Sequence, residues 1–156
     1  MSQTPRELLS ATTIDAMPVE VRQHAYNANA IRLAKSLGDA TGLTQIGAHL
    51  ITLEPGRESS EYHRHLYEEE FVYVLSGTGQ LLLDDRPYDI GPGDFLGFPR
   101  GGAAHVVKNT GETPLLLLVA GQRLEQDICD YPHFGKRLYI HGQGEDLVDF
   151  EQIKPG

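Results

Sequence analysis

The stretch EYHRHLYEEEFVYVLSG, Glu61–Gly77, decides how the chain is read. His63 and His65 stand at i and i+2, which on a β-strand puts both imidazoles on one face, roughly 6.5–7 Å apart along the chain. An isolated pair of this kind is usually just two polar residues on a solvent-facing strand. The next residues change the reading. EFVYVLS, from Glu70, is an apolar strand that opens on a carboxylate. Glu70 lies five residues past His65, and five is odd, so an unbroken strand sends it to the opposite face. The chain must therefore bend across Leu66–Glu69 and re-enter as a new strand. Glu70, Val72 and Val74 then face inward and Phe71, Tyr73 and Leu75 outward, leaving Glu68 and Glu69 in the bend as solvated charge.

A further ligand is expected from FPRGGAAHVVKN, where His105 opens another short strand behind a Pro/Gly turn. Three imidazoles and one carboxylate suit a divalent first-row ion such as Mn, Fe, Co, Ni or Zn. In six-coordinate geometry two adjacent positions stay open for a small-molecule substrate or waters.

The surrounding texture agrees with strands. From residue 29 onward, short apolar or alternating runs (AIRLA, LTQIGAHLITL, QLLLDD, PYDI, DFLGF, PLLLLVAG) alternate with turn clusters such as EPGRES, IGPGD and NTGETP. With no long segment of period 3.6, this spacing predicts an all-β sandwich or barrel. One further strand is expected around Leu138–His141, and after it a wrapping C-terminal segment. At the N-terminus, TPRELLSA predicts a brief helix, with Thr4 as cap, Pro5 in the first turn and Glu7 completing a capping box. The segment after that helix is expected to end at Pro18. The expected division is an arm at 1–28, a barrel at 29–141 and a wrapping segment at 142–156.

The two motifs together resemble those of the cupins, small β-barrel proteins. The first family motif, G-x5-H-x-H-x(3–4)-E-x6-G, is met by Gly56, His63, His65, Glu70 and Gly77, with the first gap one residue long. The six-residue step to Gly77 selects Glu70 over Glu69, as strand parity does independently. The second, G-x5-P-x-G-x2-H-x3-N, is met by Gly93, Pro99, Gly101, His105 and Asn109, with one extra residue before the histidine unless Gly102 plays the glycine. The resemblance implies a double-stranded β-helix, or jelly-roll, with a short N-terminal helix or arm. It also implies a metal held by His63, His65, Glu70 and His105, and a homodimer. Small cupins of this type are often likened to mannose-6-phosphate isomerases. The expected function is therefore metal-dependent isomerisation of a sugar or sugar phosphate. The alternatives are an Fe(II) dioxygenase or a non-catalytic metabolite-binding module.

Composition narrows the partners. A net charge of -9 argues against nucleic acid and anionic membranes, which need a basic face. A local arginine can still hold a small anion. Arg57 and Arg100, in the turns that flank the two motifs, are the expected anion holders, and Tyr73 is a further catalytic candidate. His49, Tyr62 and Tyr88 are possible pocket residues. Cys129 is the only cysteine, so no internal disulfide can form. The longest apolar run is LLLLVA, Leu115–Ala120, too short to cross a bilayer, and no signal-peptide core is visible. The expectation is a cytoplasmic protein. The apolar outer face of Phe71, Tyr73 and Leu75 is expected to be covered by the N-terminal arm or a second subunit.

Overall fold

The computed structural model describes residues 4–156, so the first three residues of the expected arm lie outside the described residues. The chain opens with helix α1 (Ala11–Ala16), strands β1 (Glu20–His24) and β2 (Asn27–Ser36), the short helix α2 (Leu37–Thr41) and β3 (Ile46–Leu53). The middle carries β4 (Arg64–His65), β5 (Glu70–Ser76), β6 (Gly79–Leu83), β7 (Arg86–Ile90), β8 (Phe95–Phe98) and β9 (His105–Lys108). It ends with β10 (Leu115–Gln122), β11 (Gln126–Tyr131), β12 (Lys136–His141), β13 (Gly144–Asp149) and a 3-10 turn at Phe150–Gln152. The architecture is all-β, as expected. Among the described residues no helix is long and apolar enough to cross a membrane.

The largest sheet has the order β1-β2-β3-β10-β5-β8. β10 pairs with β3 on one edge and β5 on the other; Leu115 and Leu117 of its LLLLVA run are buried, and Leu116 and Leu118 on the opposite face are half-buried. Leu115 and Leu117 from β10, Leu53 from β3 and Val74 from β5 form the fully buried centre of the core. A second sheet runs β13-β12-β11-β4 and a third β7-β6-β9. The β6–β7 hairpin turns on Asp84 and Asp85, both at positive φ, the conformation a two-residue hairpin turn demands.

The bend expected between His65 and Glu70 exists. It separates β4, which pairs with β11, from β5, which pairs with β10 and β8. Its two glutamates are not simply solvated. Glu68 Oε1 accepts from Leu124 N at 2.9 Å, and Glu69 Oε2 accepts from Arg100 N at 3.2 Å. Each carboxylate ties the bend to a neighbouring loop. Val72 and Val74 are buried and Phe71, Tyr73 and Leu75 exposed, as strand parity requires.

The helix forms later than expected. Residues 6–7 make a turn in which Leu8 N reaches Pro5 O at 3.1 Å, and Ser10, not Thr4, caps α1 by accepting from Thr13 N. Arg6 is drawn away to the carbonyls of Asp39 and Ala40. α1 thus begins where the expected helix was to end, and it stops at Ala16, ahead of the Pro18 expected to close the segment after that helix. Within segment 1–28, β1 pairs antiparallel with β2; within 142–156, β13 pairs with β12. The described N-terminal residues do not cover the Phe71 face. Their ties run to α2 through Arg6, and to β2 through Lys35 Nζ, which donates to the carbonyls of Ile14 and Asp15.

Two motif residues turn out to be structural. Asn109 is buried; its Nδ2 donates to the carbonyls of Leu53 and Thr113, and its Oδ1 accepts from Gly111 N. Gly77 has φ +81°, and a Cβ there would stand 2.4 Å from Pro114 O. Gly77→Ala is therefore expected to cost at least about 2 kcal/mol, from the left-handed backbone and the clash together. Gly93→Ala shares the backbone strain, at φ +89°, but meets open space; it should cost about 1 kcal/mol. Urea midpoints of the two variants check the difference.

Candidate metal centre

The first ligand motif is joined to the second by backbone pairing. His63 N donates to His105 O at 3.2 Å and His105 N to His63 O at 2.8 Å, so the two residues face each other across a strand pair. β5 brings Glu70 to the same place from the largest sheet. Gly121 on β10 lies opposite and leaves room for it, since a Cβ there would be 3.1 Å from Glu70 Cβ. His63, Glu70 and His105 each present a ligand atom within 4.8 Å of the others, close enough to hold one metal ion. His65 stands beside them, its ring centroid 5.0 Å from that of His63. All four expected ligands line one pocket of about 380 Å³.

Each imidazole is oriented by what its Nδ1 meets. His63 Nδ1 lies 2.8 Å from the Glu61 carbonyl, which can only accept, so Nδ1 carries the proton and Nε2 the lone pair. His65 Nδ1 donates to Asp127 Oδ2 at 2.6 Å. The other Asp127 oxygen accepts from Tyr67 N and Glu68 N, so one buried carboxylate fixes both the His65 ring and the bend. His105 lies flat on Phe98, with ring centroids 3.5 Å apart. Its Nδ1 is 3.3 Å from the Ala103 carbonyl and its Nε2 is 3.1 Å from Glu70 Oε1. A neutral imidazole has one N–H for those two oxygens. A cation between Nε2 and the carboxylate satisfies both, so the residues present fit a bound metal ion.

Electrostatics favour the same protonation pattern at His63 and Glu70, whereas at His65 burial opposes the charge but the Asp127 bond and the nearby carboxylates raise the pKa, so a metal ion there would displace a proton. Burial pushes the His63 pKa down to about 3, aided by the neighbouring His105 and His65 and opposed by Glu70. Burial opposes ionisation of Glu70, but the His105 bond and the surrounding imidazoles carry its pKa down to about 2. Neutral imidazoles beside an ionised carboxylate are the forms that ligate. Cys129 also lines the pocket, and burial pushes its thiol up to about 12, so it stays protonated at neutral pH.

The other sequence candidates lie elsewhere. Arg57 Nη1 donates to Asn29 Oδ1, outside the pocket. Arg100 is exposed, its guanidinium 5.1 Å from the Tyr67 ring centroid. Tyr73 is exposed on the outer face of β5. Tyr62 is buried against His133 and its hydroxyl accepts from Asp85 N, while Tyr88 is exposed. Of the possible lining residues only His49 reaches the pocket, together with Arg22, Arg32 and Arg123, which no sequence motif singled out.

Comparison with known proteins points the same way. A family model described as a cupin domain matches residues 49–121. A solved structure from Silicibacter pomeroyi, described as a sugar phosphate isomerase from a cupin superfamily, is 30% identical. It covers 91% of this chain and 94% of its own, with a TM-score of 0.79. The chain belongs to the cupin superfamily. Another solved cupin-like neighbour, from Acidithiobacillus ferrooxidans and provisionally named a sugar phosphate isomerase, is 51% identical over 96% of both chains, with a TM-score of 0.95. Among curated proteins, SchB of Streptomyces halstedii is 39% identical over 66 residues, 42% of this chain and 46% of its own. This cupin spans about half the length of the curated relatives it matches.

Proposed function

We propose that this cupin is a metal-dependent sugar or sugar-phosphate isomerase, with His63, His65, Glu70 and His105 holding one divalent cation. The observation that carries the reading is the polarity of the pocket: imidazole lone pairs, a carboxylate and three guanidiniums line one cavity. That arrangement suits a small molecule with neighbouring oxygens at one end and an anionic group at the other. The names of the two solved relatives support the same substrate class.

A bound divalent cation supplies Lewis acidity to adjacent carbonyl and hydroxyl oxygens, acidifying the C–H beside them. Isomerisation also needs a group that takes a proton from one carbon and returns it to the next. His49 is suited to this. Burial, and after it Arg22 and Arg123, lowers its pKa, so the ring is neutral at pH 7. Arg22 Nη1 faces its Nε2 at 3.2 Å and can only donate, so Nε2 carries the lone pair, which becomes free to take a proton when Arg22 turns from it to the anionic group of the substrate. Ile51, Val72, Leu117 and Val119 add an apolar stretch to the wall that limits water around the reacting carbons.

The test is to purify the protein without added metal, measure the bound ion, and follow aldose–ketose conversion of sugar phosphates by NMR beside an oxygen electrode. The expected result is a bound divalent ion, turnover and no oxygen uptake. His49→Ala should keep the metal and lose about 100-fold in kcat. Iron with oxygen uptake on adding catechols or thiols would replace this reading with a dioxygenase. Sugar binding without turnover would leave a binding module.

A further inference from the structure

Three arginines line the same pocket as the proposed metal ligands, in a protein whose net charge is -9, and the charge of Glu70 is felt at Arg32. Arg22 and Arg32 are directly opposed residues of β1 and β2. Like charges at opposed positions destabilise a sheet unless something is gained by them. Arg123 comes just after the end of β10, and His49 projects from β3. These groups are contiguous. Arg22 touches His49, and the bare backbone of Gly47 makes room for both His49 and Arg123; a Cβ there would lie 3.2 Å from Arg123 Nε and 3.5 Å from His49 Cε1.

Two of the three arginines have counterions on their outer side. Arg22 pairs with Glu20, and Arg123 with Asp39, both through part-exposed side chains. Arg32 is different. It takes part in none of the ion pairs among the described residues, and its Nε is buried without a hydrogen-bond partner. Buried guanidinium donors are almost always satisfied, and an orphan that borders a cavity points to an acceptor from outside the chain. All three arginines lie outside residues 49–121, the span matched by the cupin model, while all four proposed metal ligands lie inside it.

We infer that Arg32, with Arg22 and Arg123 beside it, forms an oxyanion subsite that takes the phosphate of the substrate, one phosphate oxygen accepting from Arg32 Nε. Assigning that phosphate to a sugar rests on the isomerase reading; the anion chemistry rests on the arginines alone. A carboxylate offers similar acceptors, but a phosphate has enough oxygens to meet several guanidiniums at once.

The experiment is calorimetric titration with inorganic phosphate and, separately, with malonate. The wild type is expected to bind phosphate, and malonate at least about tenfold more weakly. Arg32→Gln should weaken phosphate binding by about tenfold or more. Arg123→Gln, at the more exposed edge of the pocket, should weaken it several-fold and serves as the test if the Arg32 variant does not fold. His63→Ala should keep phosphate binding, which separates the subsite from phosphate bound at a metal. Arg57→Gln and Arg100→Gln should change nothing. Absent binding in the wild type, unchanged binding in the folded arginine variants, or tighter malonate binding overturns the assignment. Failure of the isomerase reading looks different: phosphate binding depends on Arg32, yet no sugar phosphate is converted. Conversely, if a neutral sugar and its phosphate turn over equally in wild type and Arg32→Gln, the subsite falls while isomerisation stands.

Discussion

Glu70→Ala should abolish binding of a divalent metal ion, and Glu69→Ala should not. The two residues are neighbours of identical chemistry, so only their placement separates them. Glu70 Oε1 lies 3.1 Å from His105 Nε2, inside the His63–Glu70–His105 cluster. Glu69 is exposed, and its carboxylate caps the Arg100 N–H outside that cluster. Loss of a direct ligand should exceed the roughly 10–100-fold typical of an outer partner, so affinity should fall by more than about 100-fold. His63→Ala and His105→Ala should do the same. Dialysis against a limiting metal concentration, with elemental analysis afterwards, measures it. Metal lost from the Glu69 variant and retained by the Glu70 variant would falsify the ligand register.

Asp127→Asn should weaken metal binding about 10–100-fold in a protein that still folds. Ionised Asp127 accepts the His65 Nδ1 proton, which leaves the Nε2 lone pair for the pocket. An asparagine amide aimed at the ring donates instead, moving the ring proton to Nε2, where it blocks ligation. Asp127→Ala goes further. It strands the Tyr67 and Glu68 N–H groups that hold the bend, and should destabilise the fold by about 2–5 kcal/mol. Metal titrations and urea melts on both variants separate the two effects. Full affinity in Asp127→Asn would reduce Asp127 to an anchor for the bend. The pH dependence has a definite sign. Burial works against the Asp127 charge, but the bond to His65 and the backbone donors lower its pKa overall. Its stabilisation is thus complete above about pH 4 and fades as pH falls through the lowered value.

The His63, His65, Glu70 and His105 cluster was legible because local rules reach it. Strand parity turned Glu70 inward and predicted the bend, and the structure has both because alternation is a property of the backbone. The same parity argument places Tyr73, three residues on, outside the barrel, so its candidacy conflicted with a signal already in the sequence. Arg57 and Arg100 were chosen for closeness in sequence to the ligands, but turn residues at a barrel rim are free to point away, and both do. Arg22 and Arg32 meet across a hairpin whose first strand is too polar to read as one, and β3 and β10, which carry His49 and lead to Arg123, join it only through non-local pairing. Strands β1 and β11, EVRQH and QDICDY, were missed for a related reason. They are rich in polar residues, and in β11 those residues are buried because Asp127 and Asp130 have partners across the sheet. Asp127 was hidden with them.

The opposed arginines of the β1–β2 hairpin give the pocket a division of labour. The proposed ligands for the ion come from the middle of the chain, whereas the proposed handle for a charged tail comes from a leading hairpin and from one residue after β10. Evolution can therefore exchange the handle without disturbing the ligands. A relative that shares only the central span should bind the same kind of ion yet prefer a differently charged molecule, and grafting residues 20–36 between such relatives should move the preference with the hairpin.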